Sequence, residues 1–154
     1  MGIEIERKFL VIGDSWREKA TGILFRQGYL STEPERTVRV RLEGDVGKLT
    51  IKGKSEGISR NEYEYEIPKQ DAAELLDNLC QKPLIEKTRY RVEHARKTWE
   101  VDEFHGANDG LILAEIELEE EASEFGLPDW TGAEVSHDPR YFNASLVRNP
   151  FRNW

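Results

Sequence analysis

The chain has 154 residues, 34% of them charged, with a formal net charge of −8. An acidic excess argues against general nucleic-acid binding, which draws on Lys and Arg to neutralise phosphates, and no apolar run approaches the ~18 residues of a membrane span. At 38% hydrophobic and 10% aromatic the chain can bury a core of its own, so a single domain spanning 1–154 is expected.

Period-two alternation marks about eight strands, near residues 2–12, 22–30, 36–43, 47–54, 61–67, 84–94, 97–104 and 111–120. The first ends at Gly13-Asp14, where Asp14 or Ser15 can cap a turn of helix. Turn signals follow at Ser31 to Pro34, at Gly44-Asp45 with Gly47, and at Gly53 to Gly57. After Pro68 the pattern changes to a helix, with Ala72, Leu75, Leu76 and Leu79 on one face and Pro83 blocking continuation. This helix is expected to cover an apolar outer face of the sheet. Gly106 to Gly110 separates the last two strands, and a short helix is expected after Pro139, over Tyr141 to Val147. Short connections imply antiparallel neighbours, because parallel pairing needs long crossovers.

The charged residues sit on one face of each strand, since residues two apart share a face. Glu4, Glu6 and Lys8 oppose Ile3, Ile5 and Phe9; Arg39 and Arg41 oppose Val38, Val40 and Leu42; Thr50, Lys52 and Lys54 oppose Leu49 and Ile51. Glu62, Glu64 and Glu66 oppose Tyr63, Tyr65 and Ile67, while Lys87, Arg89 and Arg91 oppose Tyr90 and Val92. Glu100 and Asp102 oppose Trp99 and Val101, and Glu115, Glu117 and Glu119 oppose Ala114, Ile116 and Leu118. On periodicity alone this is also the pattern of a half-exposed sheet with its charges in water. Two features favour an enclosed site. Whole stripes carry one sign, although like charges on one face repel, and about eight antiparallel strands suffice to close a barrel around a small ligand. Buried unpaired charges are costly, so such an interior needs a ligand with both cationic and anionic parts. Carboxylates suit Mg²⁺ or Mn²⁺, and Arg and Lys suit phosphate oxygens; a triphosphate with divalent metal satisfies both.

The motif Glu4-x-Glu6-x-Lys8 is followed in order by Arg26-Gln27-Gly28-Tyr29-Leu30, Arg39-x-Arg41, Leu49-Thr50-Ile51-Lys52, Glu62 with Glu64, Glu86-Lys87-x-Arg89, Asp102 and Glu115-x-Glu117. Asp138-Pro139-Arg140-Tyr141 and Asn143 close the series. This succession resembles the CYTH superfamily of triphosphate tunnel metalloenzymes over nearly the whole chain. The resemblance implies a mainly β fold, an eight-stranded antiparallel barrel with a few covering helices, and hydrolysis or transfer at a triphosphate. It implies metal ligation by Glu4, Glu6, Glu115 and Glu117, with Glu62, Glu64 and Asp102 as further carboxylates that bind metal through water or orient it. Lys8, Arg39, Arg41, Lys52, Lys87 and Arg89 would form a phosphate clamp. Lys87 is a candidate general base, and Tyr29 is a candidate for positioning phosphate or water that reads equally well as outer packing. The cofactor implied is Mg²⁺ or Mn²⁺, as two ions, and the substrate tripolyphosphate or another triphosphate-containing small molecule. Thiamine triphosphatase, nucleoside triphosphatase, a CYTH-type adenylate cyclase and a non-catalytic polyphosphate or nucleotide sensor read the same group.

The remaining signals carry less. Cys80 is the only cysteine, so an internal disulfide is excluded and a small core residue is expected. His94, His105 and His137 lack zinc-ligand spacing, and the four Trp residues read as packing. Glu119 to Glu121 reads as a solvated strand end. The Met-Gly start lacks the Ser or Thr that myristoylation needs, Glu6 standing there instead. Without a charged-then-apolar leader the expectation is a cytoplasmic protein that uses neither membrane nor nucleic acid, with a homodimer left open.

Overall fold

A computed structural model describes residues 2–154. Nine strands run β1 (Gly2–Val11), β2 (Ile23–Glu33), β3 (Arg36–Glu43), β4 (Val46–Gly53), β5 (Ser59–Ile67), β6 (Ile85–His94), β7 (Lys97–Phe104), β8 (Ile112–Glu117) and β9 (Thr131–Glu134). Two helices, α1 (Lys69–Asn78) and α2 (Asn143–Arg148), accompany short 3-10 turns. Hydrogen bonds connect β5, β4, β3, β2, β6, β7, β8 and β1 in that order, and β1 returns to β5. Every pairing is antiparallel, so the expected eight-stranded barrel is closed.

Closure depends on how β1 divides its edges. Glu6 to Leu10 pair with β8 along one edge, while Gly2 to Ile5 pair with β5 along the other. Beyond that stretch the second edge is taken by β9, through Phe9↔Glu134 and Val11↔Thr131. The sequence reading missed β9, because four residues spelling Thr-Gly-Ala-Glu show neither alternation nor β-branched enrichment.

The largest apolar cluster lies outside the barrel. Phe9, Val92, Trp99, Val101, Ala114 and Ile116 point outward from β1, β6, β7 and β8, and Trp16, Leu118 and Trp130 cover them. Trp99 stacks edge-on against Trp130 at 5.7 Å and against Phe125 at 5.8 Å. Trp16 comes from a 3-10 turn at Ser15–Lys19, where Asp14 makes no capping bond through its side chain. A second outer cluster joins Val40 and Leu42 of β3 to Ala72 and Leu76 of α1 and to the buried Cys80, the helix cover expected from the sequence. Gly28 allows the close approach there: a Cβ would come within 2.7 Å of Cys80 Cβ and Leu84 Cδ2. Leu79 does not join α1's buried face; the helix ends at Asn78 and Leu79 is 66% exposed.

A third cluster fills one end of the barrel itself. Tyr29, Ile85, Phe104 and Leu113 meet Tyr141, Leu146 and Val147 from the C-terminal segment. Inward stripes therefore change from charged to apolar at this end: Lys87 gives way to Ile85, Asp102 to Phe104, and Glu115 to Leu113. Trp99→Ala is expected to cost about 3–5 kcal/mol in urea denaturation, the range for deleting a buried large aromatic. A cost under about 1 kcal/mol, the scale of ordinary surface substitutions, would show that the outer cluster is not the main core.

Candidate active-site tunnel

Above the apolar plug the barrel encloses a cavity of about 520 Å³. Ten basic and eight acidic side chains line it, so the tunnel is net positive in a chain of formal charge −8. Glu4, Glu6, Lys8, Tyr29, Arg39, Arg41, Lys52, Glu62, Glu64, Lys87, Arg89, Glu115 and Glu117 all face it. Asp102 does not reach the lining. It lies beneath, 1% exposed, with Lys87 Nζ at 2.9 Å and Arg89 Nε at 2.7 Å. Glu66 and Glu119, at the far ends of their stripes, are exposed outside the tunnel.

The lining also includes Glu43, Lys48 and Arg60, which the sequence reading left out. Each stands two residues beyond a recognised inward position, at Arg41, Thr50 and Glu62 respectively, so continuing each stripe by one step finds them.

Basic and acidic groups are partly sorted around the wall. On β3, Arg41 pairs with Glu43, which also receives Lys48 at 3.1 Å. Arg39 donates to Thr50 Oγ1 at 3.1 Å and to Glu64 at 3.4 Å. Arg39 Nε and Arg41 Nε are nonetheless buried donors without an acceptor among the described residues. Such donors are rare in a finished interior, and ligand oxygens would satisfy them. Burial, reinforced by Arg39 and Arg89 nearby, lowers the Arg41 guanidinium to about 10.

Across the tunnel, register sets Glu6 directly opposite Glu117, and Lys8 opposite Glu115. Lys52 donates to both oxygens of Glu4, at 2.9 and 3.1 Å, and lies 3.4 Å from Glu62. Glu115 is held by Lys8 at 3.3 Å and Arg89 at 3.2 Å. Among the described residues, no three Asp, Glu, His or Cys groups are already gathered to hold a cation, because these ammonium and guanidinium groups stand between the carboxylates. Even so, burial and neighbouring carboxylates raise Glu6 well above the ordinary range, and raise Glu62 and Glu117 as well. Closely set oxygens that resist ionisation together fit a hard divalent cation, whose charge removes the repulsion.

At the plugged end, Lys87 is 1% exposed and Phe104 lies 5.5 Å below its ammonium. Burial, then the adjacent Arg89, lowers Lys87 to about 8 against the pull of Asp102 and Glu115. Asn143, the first residue of α2, accepts from Lys87 Nζ at 3.0 Å and from Gln27 Nε2 at 3.1 Å. Gln27 Nε2 in turn reaches the Tyr29 hydroxyl at 3.3 Å. Tyr29 thus lies inside the barrel, which settles the two positions its sequence context allowed.

The carboxylates divide into two classes of pH response. Glu115 is lowered to about 2, where Lys8 and Arg89 overcome the cost of burial, so its stabilising contribution is present above the unfolded value and lost as pH falls. Glu6 is raised, so the folded chain holds a proton that the unfolded chain releases, and stability falls as pH rises through that window. Glu6→Gln is therefore expected to raise the melting temperature of metal-free protein at about pH 7 and to leave it unchanged at about pH 3, where both states are protonated. Thermal denaturation in EDTA checks this, and a lower melting temperature at neutral pH would contradict the raised value.

The chain and its fold find close parallels. A model of the CYTH domain matches residues 2–149. A curated inorganic triphosphatase of Acetivibrio thermocellus is 55% identical over 154 residues, covering 100% of this chain and 99% of that one. The crystal structure of the inorganic triphosphatase NE1496 aligns with a TM-score of 0.65 at 34% identity, over 94% of this chain and 93% of that one. The PH1012 protein from Pyrococcus horikoshii OT3 shares the fold, with a TM-score of 0.59 at 22% identity over 77% and 80% of the two chains. With its signature residues around one tunnel and the family match running through both β1 and α2, this chain belongs to the CYTH domain family.

Proposed function

We propose that the protein hydrolyses inorganic tripolyphosphate, releasing orthophosphate from one end of the chain. The observation that carries this reading is the tunnel's division: buried Arg donors without acceptors on β3 face mutually repelling carboxylates on β1 and β8. The inorganic triphosphatase named among the relatives, 55% identical over the full chain, supports the same activity. Among the described residues, aromatic lining is confined to Tyr29 and Phe142, at the end closed by α2. The mouth therefore offers no ring on which a nucleobase or thiazole could stack, which favours an inorganic substrate.

Arg39 and Arg41 donate N–H groups to phosphate oxygens, with Lys8, Lys52 and Arg89 placing positive charge along the chain and Lys87 acting from its neutral form. Glu4, Glu6, Glu62, Glu115 and Glu117 would hold divalent metal, Mg²⁺ or Mn²⁺, as two ions. When bound, such ions neutralise phosphate oxygens and lower the pKa of water. Glu64 orients Arg39, and Asp102 orients Lys87 and Arg89. Water attacks the terminal phosphorus, the P–O bond to the remaining diphosphate breaks, and Lys87 takes the water's proton. Asn143 and Asp102 fix the Lys87 amine, and Gln27 fixes the Tyr29 hydroxyl that positions water or phosphate.

Phosphate release from tripolyphosphate, ATP and thiamine triphosphate in parallel, with Mg²⁺, Mn²⁺ or EDTA, tests the reading. Metal-dependent turnover is expected to be fastest with tripolyphosphate, and Arg41→Ala should reduce kcat/KM about 100-fold, the scale for removing one transition-state donor. Binding of all three compounds without turnover would make the protein a sensor instead. If Lys87 is the base, kcat rises as pH increases through about 8, and Lys87→Met removes that limb from the pH profile; an unchanged limb would assign it to another group.

A further inference from the structure

We propose that Phe25 is a positioning residue of the phosphate clamp, a shared aromatic wall that holds the Arg41 and Arg89 guanidinium groups apart and aimed. The inference rests on the tripolyphosphatase reading and extends it to a side chain that touches no substrate. Facing the charged interior, β2 contributes Phe25, Gln27 and Tyr29, an inward stripe with no charge at all. It separates the two basic stripes, since β2 pairs with β3 on one side and β6 on the other. Register puts Phe25 level with Glu43 on β3 and Lys87 on β6, so Arg41 and Arg89 flank it diagonally. Both guanidinium carbons lie 4.9 Å from the ring centroid, well inside the range of cation–π attraction. Phe25 is fully buried and belongs to none of the three apolar clusters. Its packing partners include these two cations.

The geometry gives the ring a definite task. Arg89 is held by three carboxylates, Asp102 at 2.7 and 2.8 Å, Glu115 at 3.2 Å and Glu100 at 3.2 Å, whereas Arg41 is paired with Glu43 alone. For Arg41 that single edge contact leaves the plane free to rotate about it. The ring, with both guanidinium carbons over it at 4.9 Å, restricts that rotation and leaves the Arg41 N–H groups not taken by Glu43 free for a ligand. It also fills the space through which two buried like charges would otherwise face each other, with a surface whose π-electrons attract both. An aliphatic side chain fills that space without restricting the Arg41 plane.

Phe25→Leu and Phe25→Tyr, each alone and combined with Arg41→Lys, separate this role from simple packing. Tripolyphosphate binding is measured by calorimetry in EDTA, and KM and kcat with Mg²⁺ below the melting temperature of each variant. In Phe25→Leu, Kd should rise and kcat/KM should fall, each about tenfold, the loss expected for a desolvated cation–π contact. Phe25→Tyr keeps the ring and should restore both. Arg41→Lys, which keeps charge but loses the plane, should weaken binding by itself and make the Phe25→Leu effect smaller than in the parent. A lower melting temperature in Phe25→Leu with unchanged Kd and kcat/KM, or additive effects in the cycle, would reduce Phe25 to packing and overturn the inference. If the parent neither binds nor cleaves tripolyphosphate, the proposed function fails instead, and that outcome is read before any variant is compared.

Discussion

Everything in this molecule follows from turning the sheet so that its charged faces meet one another. Eight strands must then close, because an open interior of Arg, Lys and Glu would simply hydrate and give no reason for the like-charged stripes. Closure reverses the usual arrangement of a small β protein: the main apolar cluster sits outside the barrel, sheltered by a 3-10 turn and the loop carrying Phe125 and Trp130. Burial of Trp99, Ile116 and their neighbours stabilises the wall from without. The interior is thereby released from the duty of forming a core, and its side chains can be spent on a ligand.

The interior is held in balance by registers rather than by individual strong bonds. Lys8 opposite Glu115, Lys52 opposite Glu62 and Arg89 opposite Asp102 each join strands that are neighbours in the sheet. Buried pairs of this kind contribute little net stability, and losing one member leaves the other stranded. Where register instead places Glu6 against Glu117, no such partner exists in the opposing strand, and the local electrostatic cost is the affinity available to a cation. The acidic and basic sectors are thus consequences of the same antiparallel pairing, read at different heights.

Much of this was legible in the sequence because a barrel preserves the period-two code: inward residues stay on one parity from mouth to plug. The E-x-E-x-K stripe, the Arg39-Arg41 stripe and the outer helix face over Ala72 and Leu76 could all be read in that way. Depth could not. Asp102 shares its face with Glu100, yet it lies below the lining because Arg89 and Lys87 close over it, a fact of register and not of parity. The apolar plug was hidden for a related reason, since Leu10, Ile85, Phe104 and Leu113 gather at one level only after strands distant in sequence are aligned. Phe25 escaped notice because an apolar residue at an inward position contradicts the charged pattern of its neighbours, and its meaning appears only with cations on both flanks. The short β9 gives no periodic signal and exists because the far half of β1 offers an edge that β5 leaves unpaired.

The two-sided pairing of β1 has a consequence for how the chain is made. Strand β1 needs β8 along one edge and β5 and then β9 along the other, so its ladder is not complete until residue 134 has appeared. During that wait it is a long strand with both edges open, the kind of segment that associates with other nascent chains. Glu4, Glu6 and Lys8, the residues later turned inward, place charge on that open strand, a feature that disfavours edge-to-edge association. The same three side chains would then serve twice in the life of the protein, first as a guard against premature association and afterwards as part of the tunnel wall.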